Sequence, residues 1–230
     1  MAKVKAIIFD TETTSSKNGQ IIEAAWVQVG GVDSLKVQDW FHGRFKPTIP
    51  IEYGAMATHN IIETDLVDCP SPDAFKLPNV DFLIGHNVDF DWEQVGKPEV
   101  KRICTLALSR LLFPDMDSHT QSAMIYKVFD HDKNFARSLI KDAHSAKADV
   151  DNNLTLLTFL IKTIKDRKVA SITSWSDLWE FSEVARIPTV MNFGKHKGEE
   201  IIDVPRSYKQ WLLRQTDIDP YVQKAITKYW

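Results

Sequence analysis

Carboxylate side chains follow two strands that the sequence predicts to be buried. Asp10 and Glu12 come directly after the apolar run Ala6–Phe9, and residues two apart on a strand project from the same face. Asp91 comes shortly after a second apolar run, Val80–Gly85. Ligands of open α/β sheets collect outside the carboxyl ends of the strands. Because neighbouring carboxylates are costly unless a cation neutralises them, this pattern favours a metal site.

A third segment adds a histidine to these acids. His144 lies five residues before Asp149, and the apolar spacing of residues 145–165 predicts a helix that fixes the acid near its first turn. One acidic pair carries little information. Three such segments in one chain are hard to obtain by chance, so we treat them as one candidate site.

The elements that must position these residues form a mixed sheet flanked by helices. The opening residues predict a meander of three strands, and strand–helix units follow it, which is typical of the α/β class. The predicted strands cover Ala6–Phe9, Ile21–Val29, Leu35–Phe45, Val80–Gly85 and Ile103–Cys104, and the predicted helices include Thr105–Leu112 and residues 145–165.

A polar stretch at residues 166–174 interrupts the periodic pattern and predicts a linker. We therefore expect two domains, residues 1–168 and residues 169–230, the second being a small α+β module. Its predicted elements are a helix over Asp177–Ala185, a hairpin over Phe193–Val204 and a helix over Tyr208–Arg214.

Basic and aromatic side chains alternate in this second module. Lys195, Lys197 and Trp211 lie close in sequence, and four of the seven tryptophans fall in the module. Phosphate contact and base stacking make such a mixture suitable for single-stranded nucleic acid. The alternative is a structural module whose aromatic side chains form its own core.

Composition excludes several classes of protein. The 230 residues are 43% hydrophobic and 26% charged, which argues against long disorder and coiled coil. No apolar run of about 18 residues occurs, so we expect no membrane span, and we expect no signal peptide. The two cysteines lack metal-site spacing and suit a reducing cytoplasm. The net charge of −3 does not decide whether nucleic acid is a partner, because carboxylates that hold cations contribute to it.

The three acidic segments resemble the motifs of the DnaQ-like, or DEDDh, 3′–5′ exonucleases. Phe9–Thr13 is similar to the first motif, His86–Asp91 to the second (H-N-x-x-F-D) and His144–Asp149 to the third (H-x-A-x-x-D). Met56–Ile61 resembles the family's substrate-side motif, and Arg102–Pro114 resembles the segment after the second motif. The resemblance covers about residues 4–165, and the tail resembles that of a bacterial branch of the family.

The resemblance implies an RNase H-like fold and a metal-dependent nuclease. Oxygen ligands suit hard divalent cations, and two Mg²⁺ ions, with Mn²⁺ as a substitute, are the implied cofactors. The implied metal ligands are Asp10, Glu12, Asp91 and Asp149, the implied general base is His144, and the implied substrate contacts are Thr11, Thr13, His59 and Asn87.

Several polar residues near these motifs have a plainer interpretation. We expect His86 to be a structural residue at a strand end rather than a base. Glu23 interrupts an apolar strand, and we expect it to be hydrogen-bonded within the fold. Lys147 either meets a phosphate or lies in solvent, and the sequence does not separate the two.

The expected function is 3′–5′ hydrolysis of DNA, at single-stranded or frayed 3′ ends, by a cytoplasmic enzyme. An RNA exonuclease of the same mechanism is the first alternative. The second is a non-catalytic adaptor that keeps the fold and binds nucleic-acid ends or a polymerase. The complete set of site residues argues against the adaptor, because a degraded site usually loses a carboxylate.

Overall fold

The computed structural model describes residues 4–191 and 193–229. The chain forms two compact units, one ending at Ser182 and the other beginning at Glu183. This division lies later in the chain than the domain boundary we expected at residue 168. The functional assignment of the two predicted domains stays a prediction. Across the described residues, no helix combines the length and apolar character needed to cross a membrane.

The first unit is built on a five-stranded mixed sheet. Its strands, in the spatial order β3-β2-β1-β4-β5, are β1 (Ala6–Thr13), β2 (Ile21–Val29), β3 (Val37–Arg44), β4 (Phe82–Gly85) and β5 (Lys101–Cys104). Strands β1, β2 and β3 are antiparallel neighbours, whereas β4 is parallel to β1 and β5 is parallel to β4. The predicted meander and mixed sheet are confirmed.

Strand β1 lies at the centre of the sheet because its first half is apolar on both faces. Ala6, Ile7, Ile8 and Phe9 are all fully buried. Continuous apolar runs of this kind are typical of strands that are covered on both faces. The second half of β1 carries the polar residues 10–13 to the carboxyl end of the strand, where the core ends.

Helices cover the sheet and connect its strands. They are α1 (Tyr53–His59), α2 (Asp89–Gln94), α3 (Thr105–Leu112), α4 (Gln121–Val128), α5 (Lys133–Leu139), α6 (Ala146–Asp166) and α7 (Trp175–Ala185). The long helix α6 contacts β1, β2, α3 and α4. Its apolar stripe, which includes the fully buried Leu156, Leu160 and Ile164, holds it against this layer. The predicted helix at residues 145–165 is confirmed.

The second unit contains α8 (Arg206–Leu212) and α9 (Pro220–Lys228) around its own apolar core. The core residues are Met191, Ile201, Val204, Leu212, Val222, Ala225 and Ile226. Helix α9 was not predicted, although Asp219 accepts a hydrogen bond from Tyr221 N and Pro220 is the first helical residue, which is a recognisable start signal.

The predicted hairpin over Phe193–Val204 is wrong. Among the described residues, strand-like pairing in this region is limited to a bridge between Val190 and Glu200. Gly194 and Gly198 both have positive φ angles, of 70° and 92°, so the chain between them forms successive turns rather than two strands. The second unit is therefore mainly helical, and the predicted α+β module is corrected to this extent.

Candidate active site

Strand β1 presents two carboxylates at the carboxyl end of the sheet's central strand. Asp10 pairs with Ala25 of β2, and Glu12 pairs with Glu23. The register shifts between Glu12 and Thr13, where the strand leaves the sheet. Asp10 and Glu12 are two residues apart, so both side chains project from one face, as the sequence predicts.

Asp91 reaches the same place from the neighbouring strand. Strand β4 is parallel to β1, so the carboxyl ends of the two strands meet at one edge of the sheet. A turn through Asn87, whose φ is 71°, leads from β4 into α2, where Asp91 is buried. Its Oδ1 accepts hydrogen bonds from Thr11 N at 2.9 Å and Thr11 Oγ1 at 2.8 Å. These bonds fix Asp91 against β1.

Helix α6 supplies the fourth acid, and the segment just before it supplies the histidine. Asp149 lies in its first turn, and its Oδ2 accepts a hydrogen bond of 2.9 Å from His144 N. Gln121 at the start of α4 donates to Asp149 Oδ1 at 3.1 Å and to its backbone oxygen at 2.8 Å. His144 has a φ of 66°, a conformation that is rare outside glycine and clusters at functional sites.

The three segments line one open cavity of about 790 Å³. Asp10, Glu12 and Asp149 each offer an oxygen atom, and these oxygens lie within 4.8 Å of one another. Asp91 and the exposed His144 line the same cavity. The structure thus brings together all five residues that the resemblance assigns to catalysis and metal binding.

Burial raises the pKa of every acid in this cluster. The pKa of Asp10 is held well above its ordinary value by burial and then by the charges of Asp91, Asp149 and Glu12. Burial and the neighbouring acids raise the pKa of Glu12 to about 9. Burial raises the pKa of Asp91 to about 7, although the Thr11 hydrogen bonds oppose it, and that of Asp149 to about 6. Burial and the neighbouring acids therefore outweigh the hydrogen bonds and the charge of His144 that act to lower these pKa values.

A divalent cation fits this donor set. All four acids offer oxygen, which is the ligand type of Mg²⁺ and Mn²⁺, and neither cysteine of the chain lines the cavity. A cation placed among the oxygens of Asp10, Glu12 and Asp149 would favour the ionised form of each and would lower the raised pKa values. The geometry and the raised pKa values both indicate a cation site.

The predicted substrate contacts divide into two groups. Thr11 and Asn87 line the cavity. Thr13 and His59 do not line it: Thr13 Oγ1 donates to Ser15 O at 2.8 Å, and the buried His59 lies 3.2 Å from Thr13 O through Nε2. His59 Nδ1 also accepts a hydrogen bond from Ile61 N at 3.0 Å. In this structure His59 acts as a packing residue behind β1.

Two of the plainer interpretations agree with the geometry. His86 Nε2 donates to His119 O at 2.9 Å, and burial lowers the pKa of His86 to about 4, so its ring is neutral and engaged. Lys147 forms an exposed ion pair with Asp151 at 2.8 Å and does not line the cavity. His86 lines the cavity, but its bond to a backbone carbonyl argues against a role as the base.

Sequence reasoning missed several residues of the cavity wall, among them Arg110 and Gln121. Arg110 on α3 lines the cavity, and of the described residues around it Arg110 alone carries a permanent positive charge. Gln121 orients Asp149. The helical pattern of residues 105–112 could have shown that Arg110 lies on the face opposite the buried positions of α3, but not that this face borders the site.

The basic and aromatic residues of the tail lie together in the second unit. The rings of Tyr208 and Trp211 are 5.3 Å apart, and those of His196 and Tyr208 are 4.6 Å apart. Trp211 keeps 51% of its surface exposed, and Lys195 and Lys197 are exposed. The core of the second unit therefore does not bury all of these aromatic side chains.

Comparison with known proteins gives one relative that matches over nearly the full length of both chains and another that matches in part. Exodeoxyribonuclease 10 of Escherichia coli K12 is 27% identical over 231 residues, covering 96% of this chain and 97% of its own. DNA polymerase III PolC-type of Bacillus cereus is 28% identical over 144 residues, which is 56% of this chain and 10% of that protein. No family model matches the chain.

Solved structures show the same fold. Exonuclease X in complex with 5′ overhanging duplex DNA has a TM-score of 0.52 at 25% identity, covering 76% of this chain and 99% of its own. Escherichia coli exonuclease I in complex with a dT13 oligonucleotide has a TM-score of 0.53 at 16% identity, covering 73% of this chain and 43% of its own, and supports the fold alone. The predicted RNase H-like fold is confirmed.

Proposed function

We propose, from the premise that this chain is homologous to exodeoxyribonuclease 10 and to the DnaQ-like exonucleases, that it is a metal-dependent 3′–5′ exodeoxyribonuclease. It would release 5′-mononucleotides from DNA 3′ ends. The observation that carries the proposal is the convergence of Asp10, Glu12 and Asp149 oxygens within 4.8 Å in an open cavity that His144 also lines.

Four of the acids that line the cavity are proposed to hold the metal: Asp10, Glu12, Asp91 and Asp149. Asp10, Glu12 and Asp149 converge already, and Asp91 lies on the same wall with its Oδ1 tied to Thr11. Two Mg²⁺ ions, or Mn²⁺ in their place, would make the attacking water more acidic and stabilise the leaving oxygen. The homologous DnaQ-like exonucleases support a divalent ion in general, and the choice of Mg²⁺ rests on the hard oxygen donors.

His144 is proposed to take the proton from the attacking water. Its backbone is held by Asp149, while its side chain is exposed and lines the cavity, so a ring nitrogen can approach a water without rearranging the helix. A base of this kind needs a pKa near the working pH, which imidazole has. Asp149 thereby serves both as a metal ligand and as the group that orients the base.

The substrate is proposed to be the 3′ end of DNA, single-stranded or frayed. The homologous exonuclease X was solved with 5′ overhanging duplex DNA, a substrate whose 3′ end is recessed. Thr11 and Asn87 line the cavity beside the acids and are placed to contact the terminal nucleotide. Thr13 and His59 do not line the cavity and are hydrogen-bonded to the backbone, so we assign them to support of β1 instead.

The second unit is proposed to bind single-stranded DNA. Exposed Trp211, whose ring lies beside that of Tyr208, offers a face to a base, and Lys195 and Lys197 offer charge to phosphates. This role corresponds to the accessory module predicted for residues 169–230, whereas residues 1–168 hold every proposed metal ligand.

A labelled digestion tests the proposal. A 5′-labelled single strand should shorten from its 3′ end with Mg²⁺ or Mn²⁺, remain intact with a chelator, and remain intact with the Asp10→Asn variant. RNA of the same sequence should be cut more slowly, and equal rates would assign an RNA exonuclease as well. A circular single strand should resist. Cleavage of the circle at the rate of the linear strand, or cleavage in chelator, would refute the assignment.

A further inference from the structure

Glu23 is a fully buried acid in the middle of the sheet. It lies on β2, with 0% of its surface exposed, and both of its carboxylate oxygens accept hydrogen bonds. Oε1 accepts from His42 Nε2 at 3.0 Å and from Arg44 Nε at 2.9 Å, and Oε2 accepts from Ala146 N at 2.8 Å. A buried carboxylate is tolerated only when it is paired and hydrogen-bonded in this way.

The three donors come from two different elements. His42 and Arg44 lie on the edge strand β3, whereas Ala146 is the first residue of α6. Ala146 follows His144 by two residues and precedes Asp149 by three. Glu23 therefore ties the start of α6, which carries the proposed base and one proposed metal ligand, to the sheet that carries the other acids.

We propose that Glu23 is a positioning residue that sets the distance between Asp149 and the carboxylates of β1. The inference rests on the proposed function, because it concerns the same metal site. On the side of α4, Gln121 donates a hydrogen bond to Asp149 in the first turn of α6. His144 N donates to Asp149 itself, so this bond lies within the same segment. Within the described residues, the bond from Ala146 N to Glu23 is the hydrogen bond that ties this first turn to the sheet, in addition to its apolar packing.

Glu23 is not placed to be a metal ligand itself. Its two oxygens already receive three donors, and it does not line the cavity. Burial alone would raise the pKa of Glu23, but the hydrogen bonds from His42, Arg44 and Ala146 lower it, so the side chain stays ionised. Because this carboxylate is ionised and fully hydrogen-bonded, it holds β3 and the start of α6 at fixed positions relative to β2.

Two substitutions separate the reach of this side chain from its charge. Glu23→Gln keeps the length but offers one oxygen, so its amide nitrogen must face at least one of the three donors. Glu23→Asp keeps the charge but is one methylene shorter, so it cannot reach β3 and Ala146 together. Ile22→Val, at the neighbouring fully buried position, is the matched control for a general loss of packing.

The measurements are Mn²⁺ binding to the full-length protein by calorimetry, melting temperature without metal, and kcat and KM for thymidine 5′-p-nitrophenyl phosphate. Residues that orient metal ligands typically change metal affinity or activity by about 10–100-fold when altered. We expect both Glu23 variants to weaken Mn²⁺ binding and to lower kcat by about that factor, with KM nearly unchanged. Ile22→Val should melt at a lower temperature and keep the wild-type Mn²⁺ affinity.

Each outcome decides the inference. A Glu23→Asp variant that binds Mn²⁺ as the wild type does, beside a weakened Glu23→Gln, would show that charge and not position matters and would overturn the proposal. Wild-type binding in both variants would overturn it too. A wild-type protein that binds Mn²⁺ but cleaves no ester or DNA would refute the proposed function, while the binding comparison would still test the role of Glu23.

Discussion

Replacing Asp10 by asparagine should make the metal-free protein more stable and the metal-bound protein less stable than the wild type. The oxygens of Asp10, Glu12 and Asp149 lie within 4.8 Å of one another. At that separation two unit charges repel by about 3–4 kcal/mol with an effective dielectric constant of about 20. The raised pKa of Glu12, about 9, keeps much of the cluster protonated at neutral pH, which reduces the repulsion that is actually present.

We therefore expect Asp10→Asn to gain about 2 kcal/mol without metal. For a chain of this size that gain corresponds to a melting temperature higher by roughly 4–8 °C. With Mg²⁺ at about 100 times its Kd, the wild type should gain about 2.7 kcal/mol from binding, and the variant, which lacks a ligand, should gain little. The order of the two melting temperatures should reverse on adding metal.

Thermal melting in chelator and in a Mg²⁺ series measures both effects on one preparation. Asp68→Asn is the matched control, since it makes the same isosteric change at an exposed acid that does not line the cavity. An Asp10→Asn variant that melts at or below the wild-type temperature in chelator, and gains as much as the wild type from Mg²⁺, would refute the metal-site reasoning.

Four further outcomes follow from the same geometry. His144→Ala should lower the cleavage rate by roughly 10²–10⁴ and keep the stabilisation by Mg²⁺, as two parallel measurements on one variant would show. In chelator, stability should fall as pH rises from about 4 to about 9. The folded-state pKa values of Asp149, about 6, and of Glu12, about 9, exceed the unfolded ones, so the folded state holds extra protons that it loses in this range. Melting temperatures measured across this pH range check the sign of the effect. Arg110→Ala should raise KM for DNA and make binding less dependent on salt, because it removes the permanent positive charge of the cavity wall that would face the phosphates of the substrate. Trp211→Ala should weaken binding of long single strands by about 1–3 kcal/mol if the ring stacks on a base; a lower melting temperature with unchanged affinity would instead show a structural role.

The sequence predicted the parts of the site that depend on local patterns. Asp10 and Glu12 project from one face because they are two apart on a strand, and Asp149 lies in the first turn of α6, as its position before the apolar stripe indicates. The strand ends that lead to Asp10 and Asp91 meet because β1 and β4 are parallel neighbours. The strand–helix pattern of the sequence predicts parallel strands of this type.

The sequence did not predict contacts between distant segments. The bond from Ala146 to Glu23 joins positions 123 residues apart, and no local pattern at either residue reports it. The hydrogen bonds of Thr11 to Asp91 likewise depend on how closely α2 packs on β1. In the tail, we expected a hairpin over Phe193–Val204, but the positive φ of Gly194 as well as Gly198 produces turns instead.

The pair Glu12 and Glu23 shows how the fold separates a metal ligand from a structural acid. The two residues are direct partners across β1 and β2, so they are like charges at one position of the sheet, which is unfavourable by itself. Glu23 receives three donors and has a lowered pKa, whereas burial and the nearby acids raise the pKa of Glu12 to about 9. The protein therefore pairs Glu23 with three donors, whereas Glu12, Asp10 and Asp149 keep raised pKa values beside an open cavity. Because burial of uncompensated acids destabilises the fold, their retention at this edge is best explained by a cation that completes the site.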